Sequence, residues 1–227
     1  MYNFLELVND VARRLNEVPL TNVNFTGVRG FHSDIKSYVN ESVERINTKE
    51  FEWPFNHVME NLVLTPNQVR YPLPVDAKTV AYDTFVLKGD PSLNVKSAKL
   101  KIIDYEDHLE HSLDWELDPA THANVPRHVF RGRDLAFGLI PAPKEAYEIR
   151  YEYYRLPSPL VDWDDVPSIP ERFRWVILEG ALYAAYMFKG DLEAAQTSNS
   201  LFEEGIKNMR ELYINRYEYA RSTMIGG

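Results

Sequence analysis

The first helical period opens almost at the start of the chain. Phe4, Leu5, Val8, Val11, Ala12 and Leu15 recur three or four positions apart, with Glu6, Asp10, Arg13 and Arg14 mostly opposite, which predicts a helix over 2–17. Pro19 and the Thr/Asn/Gly-rich stretch to Gly30 interrupt it as a loop. Ile35, Tyr38, Val39, Val43 and Ile46 mark a second helix over 32–48, with Ser33 as a candidate N-cap. Lys36 rather than Glu sits three residues on, so no capping box forms.

After FEWPFN the period changes from helical to two. NHVMENLVLTPNQVRYPLP reads as strand, turn and strand, turning at Pro66-Asn67, and TVAYDTFVLK as a further strand. Gly89-Asp90-Pro91-Ser92 is a turn. SAKLKIID reads as a strand running into a short helix, YEDHLEH, and a polar loop follows over 113–126. HVFRGRDLAFGLIPAP is a hairpin turning at Arg131–Asp134. AYEIRYEYYRLP alternates most clearly, with Tyr147, Ile149, Tyr151 and Tyr153 on one face and Glu148, Arg150, Glu152 and Tyr154 on the other.

The helical period returns at Ile169. IPERFRWVILEGALYAAYMFKGD is one amphipathic helix, with Pro170 at its start and Gly190 at its end. Asp191 caps a last helix over 191–218, along which Leu192, Ala195, Asn199, Phe202, Ile206, Met209 and Tyr213 share a face. The order implies an α+β fold. Each outer pair of helices buries one stripe, so residues 1–52 and 168–227 are expected to join as an antiparallel helical bundle, with 53–167 as an inserted β-rich domain. The small residues Gly180, Ala181, Ala184 and Ala185 predict that another helix comes very close, either from the same chain or from a second copy. They are therefore candidates for a subunit interface.

Composition narrows the function. The 227 residues carry a net charge of −9, which argues against gripping nucleic acid, since phosphate binding needs a cationic footprint. With no cysteine, disulfides and thiolate chemistry are excluded, which fits assembly in a reducing cytoplasm. The N-terminus has no signal-peptide pattern, and no uninterrupted apolar window of about 18 residues predicts a membrane span. Candidate chemistry is sparse. His108 and His111 lie three apart beside Glu106 and Glu110, but no HExxH pattern accompanies them; they read as part of a solvated acidic helix, whose replacement by Ala is expected to leave stability unchanged. Asp162, Asp164 and Asp165 lack the Gly and distant Glu of a calcium loop and read as an acidic linker. Arg131 and Arg133 sit in a hairpin turn, and no phosphate loop or nucleophile elbow is present. No catalytic residue, metal site or cofactor is assigned.

Three segments together carry a resemblance: FEWPFNHVMENLVLTPNQVRYPLP, the Pro-x-Pro turn and Tyr-rich strand of LIPAPKEAYEIRYEYYRLPSPL, and the small-residue helix, Gly-Asp break and long helix of IPERFRWVILEGALYAAYMFKGDLEAAQTSNSLFEEGIKNMRELY. In order and over nearly the whole chain, this resembles the head-to-tail adaptor proteins of tailed bacteriophages, notably the tail tubular protein A type of short-tailed phages. The resemblance implies a homo-oligomeric ring in the virion neck, commonly a dodecamer, seated beneath the portal protein. It places the helices in the ring wall, the β region toward the tail nozzle protein and C-terminal segments against the portal, with DNA passing through the channel unbound. An acidic chain without a catalytic constellation suits such a conduit. Tyr213, Arg216, Tyr217, Tyr219, Arg221, Met224 and Ile225 are the portal-binding candidates, being of types that interfaces favour or lacking a stripe to hold them on their own fold. Trp53 and Phe55 are expected to seal the junction of bundle and β region, the alternative being an exposed anchor for a partner. The competing functional readings are a head-completion or neck ring protein of a long-tailed phage and a metal-dependent hydrolase using His108 and His111.

Overall fold

Helix α6 (Arg174–Lys189) is apolar on most of its circumference, and helices that are apolar all round are buried on several sides. In the computed structural model, which describes residues 2–214, α6 packs against α1 (Phe4–Arg14), α2 (Phe31–Lys49) and α7 (Leu192–Tyr213). The shared core runs from Tyr2 and Phe4 through Ile35, Ile46, Val176 and Ile177 to Phe202 and Met209. The ends of these helices follow local chemistry. Asn3 caps α1 through the amide of Glu6, and Asp191 caps α7 through the amide of Ala194. Gly190 closes α6 at φ 76°, a left-handed conformation that side chains disfavour. Gly30, not Ser33, occupies the N-cap of α2. Helix α7 ends at Tyr213, because Ile214 is already extended, so it stops short of the expected 218.

The chain clusters into two units, residues 1–56 with 156–227 and residues 57–155. The sequence pattern placed the boundaries at 53 and 167. Residues 53–56 and 156–167 belong instead with the helices. Trp53 and Leu160 are buried in the helical core, and the Asn40 side chain both donates to the Leu160 carbonyl at 2.9 Å and accepts from the Leu160 amide at 2.8 Å. These contacts lie within irregular chain, which has no period to announce them.

The second unit holds two four-stranded sheets. In one the order is β1 (His57–Val63), β8 (Glu148–Arg155), β3 (Ala77–Leu87) and β4 (Ala98–Lys99), all antiparallel. In the other it is β2 (Arg70–Pro72), β7 (Ala136–Ile140), β6 (His128–Arg131) and β5 (Lys101–Ile103), with β5 and β6 parallel. The alternation of β8 is realised: Ile149, Tyr151 and Tyr153 are buried. Phe85 of the first sheet meets Phe137 of the second edge to face at 5.0 Å and stacks on Tyr151 at 4.7 Å, which makes the aromatic centre of the core between them. β6 and β7 form the expected hairpin. β1 and β2, although close in sequence, pair in different sheets. Residues 105–122, expected as one short helix and a loop, form α3 (Tyr105–His111), α4 (Leu113–Leu117) and α5 (Pro119–His122).

Asn40→Ala removes both hydrogen bonds to Leu160 while leaving the α2 stripe intact. It is expected to lower stability by about 1–3 kcal/mol in urea unfolding and to quicken limited proteolysis between residues 156 and 169. Unchanged proteolysis would show that other contacts hold this segment.

Candidate interaction site

The small residues of α6 are consumed inside the chain. A Cβ on Gly180 would lie 2.1 Å from the Ser42 hydroxyl of α2 and 2.9 Å from the Phe202 ring of α7, so the glycine is what lets three helices meet at one level. Ala181 and Ala185 are fully buried in the same core. Gly205 repeats the device from the other side, since a Cβ there would meet Val176 at 2.6 Å. Of the subunit-interface candidates, Gly180, Ala181 and Ala185 have the chain's own helices as their neighbours. Ala184 alone of the four keeps partial exposure. One carboxylate enters this interior: Glu179, 7% exposed, is held by the Arg14 guanidinium.

The N-terminal and C-terminal edges of this unit are tied down by aromatic groups. Trp53 is buried, donates from Nε1 to the Ile46 carbonyl at 2.8 Å and stacks on Phe55 at 5.4 Å. It is thus unavailable as an exposed anchor. Phe55 in turn meets Tyr213 at 5.9 Å. Arg172 donates to the Tyr213 hydroxyl from Nε at 3.1 Å, and its guanidinium lies 4.8 Å from the Tyr213 ring centroid. Tyr213 is half-buried among its own chain's residues. Arg216, Tyr217, Tyr219, Arg221, Met224 and Ile225 lie outside the described residues. The acidic linker also has a structural use: the Asp165 carboxylate accepts from the amides of Val161 at 2.6 Å and Asp162 at 2.8 Å, and backbone carbonyls of Trp163 and Asp165 accept from the first turn of α1.

His108 departs from its expected place on a solvated face. It is fully buried, because Gly138 of β7 leaves room for the Phe130 ring and His108 stacks on that ring at 4.0 Å. Its Nε2 lies 2.7 Å from Glu116 Oε2, and Arg70 donates to both Glu116 oxygens, to Tyr105 Oη at 3.2 Å and to Asp134 at 3.1 Å. Burial alone would raise the Glu116 pKa, but hydrogen bonds and charge from Arg70 and His108 outweigh it and hold the carboxyl below its usual range. This cluster fastens α3 and α4 to the sheet. His111, by contrast, is exposed and lies against the Asp107 carbonyl at 3.2 Å, so the two histidines do not converge. Among the described residues no group of three or more His, Asp and Glu is arranged to hold a metal ion.

What remains at the surface is suited to contact. Leu109, Leu113, Trp115 and Leu117 are exposed on α3 and α4. Met187, Phe188 and Leu192 are exposed where α6 turns into α7, and Phe188 stacks on Phe31 at 5.8 Å. Grouped exposed apolar side chains mark interaction sites more often than isolated ones. No described helix is long and apolar enough to cross a membrane. A family model described as SU10 adaptor protein matches residues 2–224. No curated protein matches the chain.

Two sets of variants check this geometry. Gly180→Ala inserts a methyl group against Ser42 and Phe202 and is expected to cost about 1–3 kcal/mol in urea unfolding, whereas Ala184→Leu should leave the monomer's stability nearly intact. An unchanged Gly180→Ala midpoint would contradict the close three-helix contact. His108→Ala should destabilise by about 1–3 kcal/mol, against the neutral outcome expected of an exposed residue. Glu116 contributes stability above its unfolded-chain pKa and loses it as pH falls through its depressed folded one. The gap between wild type and Glu116→Gln should therefore be present at neutral pH and shrink once pH drops below the ordinary value of 4.5. A gap independent of pH would assign Glu116 a packing role only.

Proposed function

From the premise that the chain belongs to the SU10 adaptor protein family, whose model spans nearly all of it, we propose that this bacteriophage head-to-tail adaptor works as a homo-oligomeric ring between the portal protein and the tail nozzle protein. The family match is the observation that carries the reading. The helical unit forms the ring wall, with the partly exposed Ala184 region available to a neighbouring copy. The β unit is the tail-side element. Trp53 and Phe55, just before the β unit begins, brace the exit from the helical core. DNA passes through the ring without being held, as a net charge of −9 favours. Rings require a heterologous contact, in which two different faces of the same chain meet.

The portal contact is assigned to the C-terminal segment, from Tyr213 through Arg216, Tyr217, Tyr219 and Arg221 to Met224 and Ile225. Tyr and Arg supply rigid contact area and planar hydrogen bonding, and Met224 and Ile225 supply apolar anchors. Ordering such a segment costs conformational entropy, so those side chains must supply the compensating gain.

The full chain mixed with portal oligomers of the same phage is expected to add a ring visible by negative stain. Deleting residues 219–227 should leave the monomer's melting temperature unchanged and abolish portal capture in a pull-down. Undiminished capture by the truncated chain would move the portal contact to the helical faces, and no ring on any portal preparation would remove the adaptor-ring reading.

A further inference from the structure

One groove of the β unit stands against the acidity of the rest. Lys96, Lys99, Lys101 and Arg127, all exposed, line a cavity of about 600 Å³ together with apolar walls from Leu87 and Val125. None of the four has a carboxylate partner among the described residues, where the lysine ion pairs are those of Lys49, Lys88, Lys189 and Lys207. Immediately beyond β5 the charge reverses. Residues 102–126 contain neither Lys nor Arg. Asp104, Glu106, Asp107, Glu110, Asp114 and Asp118 are all exposed there, and none is ion-paired among the described residues. Glu116 is the exception, turned inward onto Arg70 and His108. The same segment exposes Leu109, Leu113, Trp115 and Leu117.

The two surfaces match in kind: cations with apolar walls, and anions with apolar side chains. No ion pair joins them among the described residues, and the Arg70–Glu116–His108 cluster fastens the acidic segment to its sheet. We infer that the cationic groove of one copy receives the acidic α3–α4 segment of a second copy, a head-to-tail contact made by the β units. This deepens the ring reading and rests on it. Two different faces of one unit are joined, as a heterologous assembly requires, and complementary charge fixes which faces pair. A nucleic-acid backbone is the poorer occupant. Four cations on a chain of net charge −9 give a weak footprint, and phosphates have no use for the apolar walls.

Charge reversal tests this. One variant carries Lys96→Glu, Lys99→Glu, Lys101→Glu and Arg127→Glu. The other carries Glu106→Lys, Asp107→Lys, Glu110→Lys and Asp114→Lys, and spares Glu116. Sedimentation velocity over a concentration series should show that the wild-type chain self-associates, and less so as salt is raised. Each variant alone should stay monomeric. Their equimolar mixture should regain association, because both unlike pairings are attractive again. In unmodified protein mixed from light and nitrogen-15-labelled copies, carbodiimide should join residues 96–101 of one copy to 104–118 of another. Association of either variant alone at wild-type strength, failure of the mixture to recover, or a wild type that stays monomeric throughout would each overturn the contact. So would a groove variant that loses only binding to a fluorescent DNA duplex. A ring still forming on portal in any of those cases would leave the adaptor reading standing and remove this contact alone.

Discussion

The absence of a Cβ at Gly180 is the constraint on which the helical unit depends. It lets α6 approach α2 and α7 at one level, with the Ser42 hydroxyl and the Phe202 ring filling the space. α6 also packs on α1, so it contacts all three other long helices. Elements that are remote in sequence are thereby joined into one core. That in turn brings the chain on either side of the β unit together, so the β unit is carried as an insertion. Tight packing of this sort is nearly incompressible and tolerates little added volume.

A second glycine organises the β unit in a similar manner. Gly138 accepts the Phe130 ring from the paired strand, His108 stacks on that ring, and Glu116 and Arg70 complete the cluster. Two short helices, α3 and α4, that would be marginal alone are thus held on a sheet. Their exposed residues are acidic and apolar, whereas the groove lined by Lys96, Lys99, Lys101 and Arg127 is cationic and apolar. The polar cluster is therefore what fixes the acidic segment on its sheet.

Long periodic segments were legible from the amino acids. The α6 and α7 periods, the Gly190-Asp191 break and the Tyr-bearing face of β8 needed only local spacing. The small residues of α6 also announced a close contact correctly, yet helical spacing alone does not say which helix arrives; the partners, Ser42 and Phe202, are distant in sequence. His108 was misplaced for the same reason. Its neighbours are acidic and its helix is short, so the local pattern reads as solvated, while its burial is decided by Phe130 and Gly138 on other strands. The attachment of 156–167 to the helical unit is not legible because irregular chain tied down by Asn40 has no period. The contrast between Lys96–Lys101 and the base-free stretch after it was present as a plain charge pattern. Its meaning emerged only when the fold showed that neither group is ion-paired among the described residues.

The central claim is that this chain forms a closed ring joining portal to tail. A cryo-electron-microscopy reconstruction of the virion neck tests it most directly. The account predicts repeated copies of the four-helix unit encircling an open channel, in contact with the portal on one side and the tail on the other. A neck in which this chain is absent, or present as isolated copies that leave the channel wall to another protein, would contradict it.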